Sequence, residues 1–235
     1  MVTGMASRPF FIPAKEARPG VHEKSIGFKW YPGMAASQKK KSIASLHQEI
    51  KSHGYKNILE ISSKSEDKLG VALSAFNLTF TTKKYAKSFT VESAFQGSKV
   101  FSGGGPFKDL FSVSPLEAKR DLRLRESGDL LRFEFFGESF SNKPRTFFYD
   151  WLYINALRQH QEYVNQILSY DGFTDIEFNP KKSINCQAHS VALFVSLHAN
   201  GLLDTAMSSQ ELFLATLEAH YKSQTRNVLV QSSLM

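Results

Sequence analysis

The sequence predicts a mixed α/β (α+β) fold, predominantly helical, organised as a single domain with a few short strands. Three observations lead there. Apolar residues recur at helical spacing in several segments, the strand-like runs are few and short, and no internal repeat or low-complexity stretch interrupts the 235 residues. With 42% hydrophobic residues and 20 phenylalanines, the chain can bury a sizeable core.

Residues 1–40 are expected to form an extended arm laid on the surface. Pro9, Pro13, Pro19 and Pro32 fall between apolar patches such as Phe10-Phe11-Ile12, and proline blocks helix and regular pairing. Residues 41–235 form the domain proper. Ser42 to Ile50 has helical spacing and stops at Gly54, and Ile58 to Ser63 follows as a buried strand. Thr90 N-caps a predicted helix running through Lys99 to Phe101, halted by Gly103-Gly104-Gly105-Pro106. A second helix is predicted from Pro115, after Ser114, to a stop at Gly128. Leu130 to Phe136 suits a strand, and Thr146–Leu157 and Gln161–Tyr170 an aromatic helical pair. Ser183 caps a predicted helix ending at Asn200-Gly201, and Ser208 with Glu211 forms a capping box for the last helix.

Composition narrows the setting. No run approaches the roughly 18 apolar residues of a membrane span, and Met1 to Arg8 lacks the layout of a signal peptide. The single cysteine, Cys186, excludes an internal disulfide and disfavours a cysteine metal cage. A cytoplasmic protein without membrane partner, metal or cofactor is expected. The net charge of +7 suits a polyanionic partner, although many small proteins are basic for no such reason. Lys39-Lys40-Lys41, Lys83-Lys84, Lys181-Lys182 and Lys119-Arg120 with Arg123 and Arg125 carry much of the excess; for Lys83-Lys84 a solvated face is the simpler account.

Three constellations carry possible chemistry. In a continuous helix Glu92, Phe95, Gln96 and Lys99 share one face, aligning a carboxylate, an amide and an ammonium beside an aromatic. A plain polar stripe with Phe95 in the core explains the spacing slightly better. In an extended stretch Asp175 and Glu177 project to one side and Ile176 and Phe178 to the other, ahead of Lys181, Lys182 and a helix N-terminus suited to anions; a solvated turn competes evenly. Ser62-Ser63-Lys64-Ser65 after a strand resembles a phosphate cradle but matches no phosphate-binding motif. Dinucleotide, nucleoside-triphosphate, serine-hydrolase and zinc-protease motifs are all missing. The histidines have no metal-ligand spacing, and Cys186 fits a buried apolar role.

These segments together resemble the NADAR (YbiA-like) N-glycosidase family. Phe76-Asn77 resembles its Phe-Ser-Asn-Phe signature, and Val91 to Phe101 its Ser-Glu-His-x-Phe-Gln-x-x-Lys-Phe element, the most specific part. Ala118 to Arg125, the aromatic helix Tyr149 to Leu157, and Asp175 to Lys182 with Asn185 match in the same order, over about residues 57 to 200. The runs Phe173 to Lys182 and Phe28 to Gly33 are similar to antitoxins paired with DarT-type toxins, which attach ADP-ribose to guanine in DNA. Two departures stand out: Ser93 replaces the family's histidine, and Glu177-Phe178-Asn179-Pro180 replaces its Trp-Gly-Asp loop.

The resemblance implies a NADAR-like catalytic domain over 41–235 that removes ADP-ribose from guanine in DNA and is functionally paired with a DarT-type toxin. Glu92 then moves protons at the glycosidic nitrogen, a desolvated Lys99 attacks the opened sugar, and Gln96 orients the ribose hydroxyls. On one helix the two catalytic side chains stand about 10 Å apart along the axis. Asp175 or Glu177 supplies a second carboxylate. Lys64, Arg120, Lys181 and Lys182 are candidates for the pyrophosphate, and Phe178 or Trp151 for stacking on a base. Ser63, Phe76, Asn77 and Asn185 complete the expected ADP-ribose contacts. The alternatives are an N-glycosidase of riboflavin-pathway ribosylaminopyrimidines and a non-catalytic module that binds DNA or toxin.

Overall fold

A computed structural model describes residues 4–16, 18–33, 35–82 and 86–224. The fold is mixed α/β, and internal contacts group the chain into two compact units. The first is built from residues 1–74 and 160–204, the second from 75–159 and 205–235.

The first unit opens with strands Gly4–Pro13 and Val21–Trp30, which pair antiparallel along their whole length. They continue through Gly172–Thr174 to Ile58–Glu60, so that Val21–Trp30 is an edge of a four-stranded sheet. Strand alternation assigns the two faces. Phe10, Ile26 and Phe28 face helix Ala36–Ser52 and pack on its Ile43, Leu46 and Ile50. Phe11 points the other way, with its ring 5.7 Å from that of His189 in helix Gln187–Ala199. That helix is buried from Ala188 to Leu197, as expected of one apolar on all sides. Of its two buried hydroxyls, Ser190 and Ser196, that of Ser196 accepts from Gly20 N at 2.8 Å and donates to Ala14 O, anchoring the turn between the first two strands.

The expected surface arm is therefore a paired hairpin and half of a core. Prolines did not prevent this because the third strand meets the first only around Phe11; Pro9 pairs with Ser25 on one flank alone. The two longest strands lie in this hairpin, so short strands and a predominantly helical chain understate its β content.

In the second unit, Thr79–Thr81 and Ser88–Thr90 form a two-stranded sheet. Lys99–Phe101, Leu130–Phe135 and Glu138–Ser141 form a three-stranded antiparallel one. Its tight turn, Phe136-Gly137, has φ of 49° and 90°, the left-handed pair that suits a twisted hairpin. Helix Phe147–Leu157 lies in the core, and Phe148 stacks on Phe133 at 4.6 Å. The C-terminal helices Gln210–Thr216 and Glu218–Ser223 add Phe213 and Tyr221 to it, and the Tyr221 hydroxyl donates to Asp150 at 3.2 Å.

Several boundaries differ from expectation. The helix opened by Thr90 is Val91–Gly97 only, and Lys99–Phe101 is a strand. The segment from Pro115 is two helices, Pro115–Arg120 and Arg123–Glu126, because the Asp121 carboxylate accepts from Arg123 N at 2.9 Å and starts a new turn. Ser183 does not cap the long helix; residues 179–183 turn on Asn179, and the N-cap position falls on Cys186. The cap of Gln210–Thr216 is Ser209, one residue beyond the expected Ser208. Lys83-Lys84 lies outside the described residues.

Gly172 sits where the third strand crosses the first, and a Cβ there would stand 2.5 Å from the Phe10 ring and 2.7 Å from Phe11 O. Gly172→Ala is expected to lower stability by about 1–3 kcal/mol through overpacking, measured as a fall in the urea midpoint at unchanged m-value.

Candidate active site

In the second unit the helix Val91–Gly97 is buried at every position. Thr90 caps it, accepting from Ser93 N at 3.2 Å. The Val91 and Glu92 amides donate to Leu78 O and Ala75 O, both at 2.9 Å, which fixes the Phe76-Asn77 loop against the helix start. The sequence after Gly97 decides the geometry. A Cβ on Gly97 would lie 2.4 Å from the Phe111 ring, so glycine permits that close approach. Ser98 ends the helix, donating its hydroxyl to Ala94 O at 2.7 Å. Lys99 then enters the sheet opposite Phe133. Gly105, at φ 97°, passes so close behind that its Cβ would meet Lys99 O at 2.3 Å; the glycine run wraps a strand and does not stop a helix.

Gln96 joins Glu92 and Lys99 across the end of the helix in a chain of contacts. Gln96 Nε2 donates to Glu92 Oε1 at 2.9 Å, and Lys99 Nζ donates to Gln96 Oε1 at 2.7 Å. Only one amide orientation satisfies both, since the carboxylate can only accept and the ammonium only donate. Lys99 Nζ also stands 4.8 Å from the centre of the Phe95 ring, which is backed by Phe133, Phe148 and Tyr149. Burial lowers the Lys99 pKa to about 8; Glu92 opposes that shift and Lys119 adds to it.

Lys119 was named in the sequence only as part of a charge run. Its Nζ lies 3.7 Å from Glu92 Oε1 and 5.1 Å from the Phe76 ring centre. The expected neighbour, Arg120, is exposed one residue on. The available signal was the Ser114–Glu117 capping box, which fixes the start of that helix and hence its faces. Asn77 is exposed. Trp151 packs on Phe140 at 4.7 Å, and its buried Nε1 has no acceptor.

The first unit gathers a separate set. Ser63 Oγ donates to Glu177 Oε2 at 3.2 Å. Asp175 does not alternate with Glu177 along a strand: the strand ends at Thr174, and Asp175 Oδ1 accepts from the amides of Glu177 and Phe178 at 2.9 and 3.1 Å. Phe178, expected to stack on a base, is buried with its ring 6.3 Å from that of Phe11. Lys181 and Lys182 are exposed on the Asn179 turn, before the helix rather than at its N-terminus, and Lys64 is half-buried. Asn185 Oδ1 is buried with no donor.

Sequence reasoning missed Glu60. It is 3% exposed and accepts from Thr174 Oγ1 at 2.7 Å and Ile176 N at 2.8 Å. His47 Nε2 meets the same Thr174 hydroxyl at 2.9 Å, and burial, aided by Lys51, lowers that imidazole to about 4. A neutral His47 donating to Thr174, which donates to Glu60, satisfies every partner. The signal was a carboxylate inside the apolar strand Ile58–Glu60. Burial pushes Glu60 up, and burial together with the Glu60 charge pushes Asp175 well above the carboxylate range. Among the described residues, no three His, Cys, Asp or Glu side chains are placed to hold a metal ion, and no helix is long and apolar enough to cross a membrane.

A mixed α/β protein with a carboxylate–amide–amine chain running from a short capped helix into the next strand is thus defined. The DarT1-associated NADAR antitoxin family matches residues 6–227, and the chain belongs to that family. No curated protein matches the sequence.

The buried acid pair has a consequence for pH. Carboxylates whose folded-state pKa is raised add stability that is full below the unfolded value and is lost as pH rises through the folded value. Stability should therefore fall above the ordinary carboxylate range, by up to about 1.4 kcal/mol per pH unit for each proton retained. Asp175→Asn keeps an oxygen acceptor and should flatten that slope in thermal melts from pH 5 to 9.

Proposed function

We propose that this chain is an N-glycosidase that removes ADP-ribose from ADP-ribosylated guanine in DNA and so reverses the action of a DarT1-type toxin. One observation carries the chemistry: a half-buried amine, lowered to about 8, is joined through a single amide to a buried carboxylate. The family supports the substrate, because an antitoxin associated with a DNA ADP-ribosyltransferase has that modification to undo.

The bond to be broken joins ribose C1 to a guanine nitrogen. In the proposed route the Glu92 carboxylate takes up a proton from solvent and delivers it to the ring oxygen, and the sugar opens to an iminium at C1. The neutral Lys99 amine adds to C1, a proton passes to the guanine nitrogen, and guanine leaves with its bonding electrons. The resulting lysine imine adds one water and collapses, returning the amine and releasing ADP-ribose, which closes to its ring form. Gln96 holds the amine between steps, and Lys119 at the outer side of Glu92 places positive charge where phosphate can be received.

Glu92→Gln and Lys99→Ala are expected to reduce ADP-ribose release by at least a hundredfold, followed by chromatography of products from modified oligonucleotides. Borohydride should trap ADP-ribose covalently on Lys99, located by peptide mass spectrometry. Wild-type turnover by either variant removes the assigned role. Because the neutral amine is the reactive form, kcat should rise with pH through about 8. A rate that falls across that range excludes amine attack.

A further inference from the structure

The net charge of +7 is not spread over the chain. Residues 1–57 hold ten Lys and Arg against three Asp and Glu, while the remaining residues hold nineteen of each. The clusters at 119–125 and 181–182 are offset by nearby acids in sequence; the N-terminal ones are not. The excess thus falls on the hairpin of the first unit, the helix packed upon it and Lys56 just beyond.

There the cations stand on aromatic rings. Lys24 Nζ is 5.4 Å from the Tyr55 ring centre and Lys29 Nζ 5.3 Å from Tyr31. Trp30 carries two: Lys39 Nζ at 4.7 Å and Arg8 Cζ at 5.2 Å. All three rings are half-buried and retain open surface. Tyr31 is further fixed by its backbone, whose N–H donates to Ser42 Oγ at 3.0 Å. Lys24 and Trp30 lie on the edge strand Val21–Trp30, six residues or roughly 20 Å apart. Next to Tyr55 opens a cavity of about 370 Å³, lined also by Lys15, His22, Pro13 and Asp171. Asp171 is already engaged by the amides of Lys56 and Asn57 at 2.7 and 2.9 Å.

Lysines on an edge strand often serve only to prevent strand pairing. That role does not need aromatic partners, and it accounts neither for Lys39 on the neighbouring helix nor for Arg8 on the next strand. Rings that accept bases, interleaved with cations that accept phosphates, match single-stranded nucleic acid on both counts. We infer that the N-terminal hairpin and its helix form a binding track for single-stranded DNA, with Tyr55, Trp30 and Tyr31 stacking bases and Lys24, Lys29, Lys39 and Arg8 moving from ring to phosphate. The purpose of the track rests on the DNA substrate proposed above; binding itself is measured on unmodified DNA.

The test is fluorescence anisotropy of the full chain with a labelled, unmodified single strand of about 16 nucleotides, the upper range for such tracks. The triple variant Lys24→Gln, Lys29→Gln, Lys39→Gln should lose at least tenfold in affinity, and its log–log salt slope should be shallower by roughly 2. Tyr31→Ala and Tyr55→Ala should each lose about fivefold or more, with circular-dichroism melts establishing that each variant is folded. The charge-matched control Lys68→Gln, Lys143→Gln, Lys222→Gln should bind as wild type. Unchanged binding by the hairpin variant, an equal loss in the control, or equal affinity for duplex of the same sequence overturns the inference. Glu92→Gln should bind the strand normally, so a failure of sugar release with strand binding intact counts against the proposed chemistry and not against the track.

Discussion

The Gln96 amide is the contact on which the candidate chemistry depends. A carboxylate and an ammonium buried side by side form a tight pair, which raises the amine pKa and keeps it charged. An amide placed between them donates to the carboxylate and accepts from the ammonium without adding net charge. The electrostatic pull of Glu92 on Lys99 is thereby weakened while the burial that disfavours the ammonium is kept. Burial outweighs attraction, and the amine is left at about 8. Lys119 works in the same direction on Lys99 while pairing with Glu92 from the exposed side.

The Lys99 end of that arrangement is fixed by where the helix stops. Had the helix continued through Lys99, Gln96 and Lys99 would still be neighbours at i and i+3, but Lys99 would not stand opposite Phe133 in the sheet. Three local features end it: the close approach of Phe111 to Gly97, the return of the Ser98 hydroxyl to Ala94, and the pairing of Lys99 with Phe133. Each is a tertiary or near-tertiary contact. Helical propensity over Val91 to Phe101 decides nothing here, because sheet pairing outweighs it.

What was legible in the sequence follows the same division. Local signals held: the Thr90 cap, the helix Phe147–Leu157, the strand from Leu130 and the end of the long buried helix at Asn200-Gly201 all lie where side-chain pattern puts them. The family's Glu-x-x-Phe-Gln-x-x-Lys element was legible as residue types, and the structure brings Glu92, Gln96 and Lys99 into one chain of contacts. Pairings distant in sequence were not legible. The hairpin of residues 4–30 was obscured by prolines whose cost depends on which flank is paired. Glu60 meets Thr174 and Ile176 across more than a hundred residues, and only its position in an apolar strand marked it. Phe178 was assigned to a ligand because aromatic character alone does not distinguish a stacking surface from a core residue.

The distribution of charge adds a constraint that composition concealed. A net +7 confined to the first 57 residues gives a directed field, whereas the same charge spread evenly gives mainly solubility. The helix Val91–Gly97 lies in the charge-balanced remainder, where burial lowers the Lys99 amine and Lys119 adds to that shift. Adding the hairpin's positive charge beside Lys99 would lower that amine further, but would also compete for Glu92 and displace the amide that spaces them. Placing the excess elsewhere in the chain would let the proposed strand-binding residues carry surplus cations without adding them next to Lys99 in sequence. The two proposed tasks, strand binding and amine chemistry, make opposite demands on local charge, and this sequence assigns them to different residues.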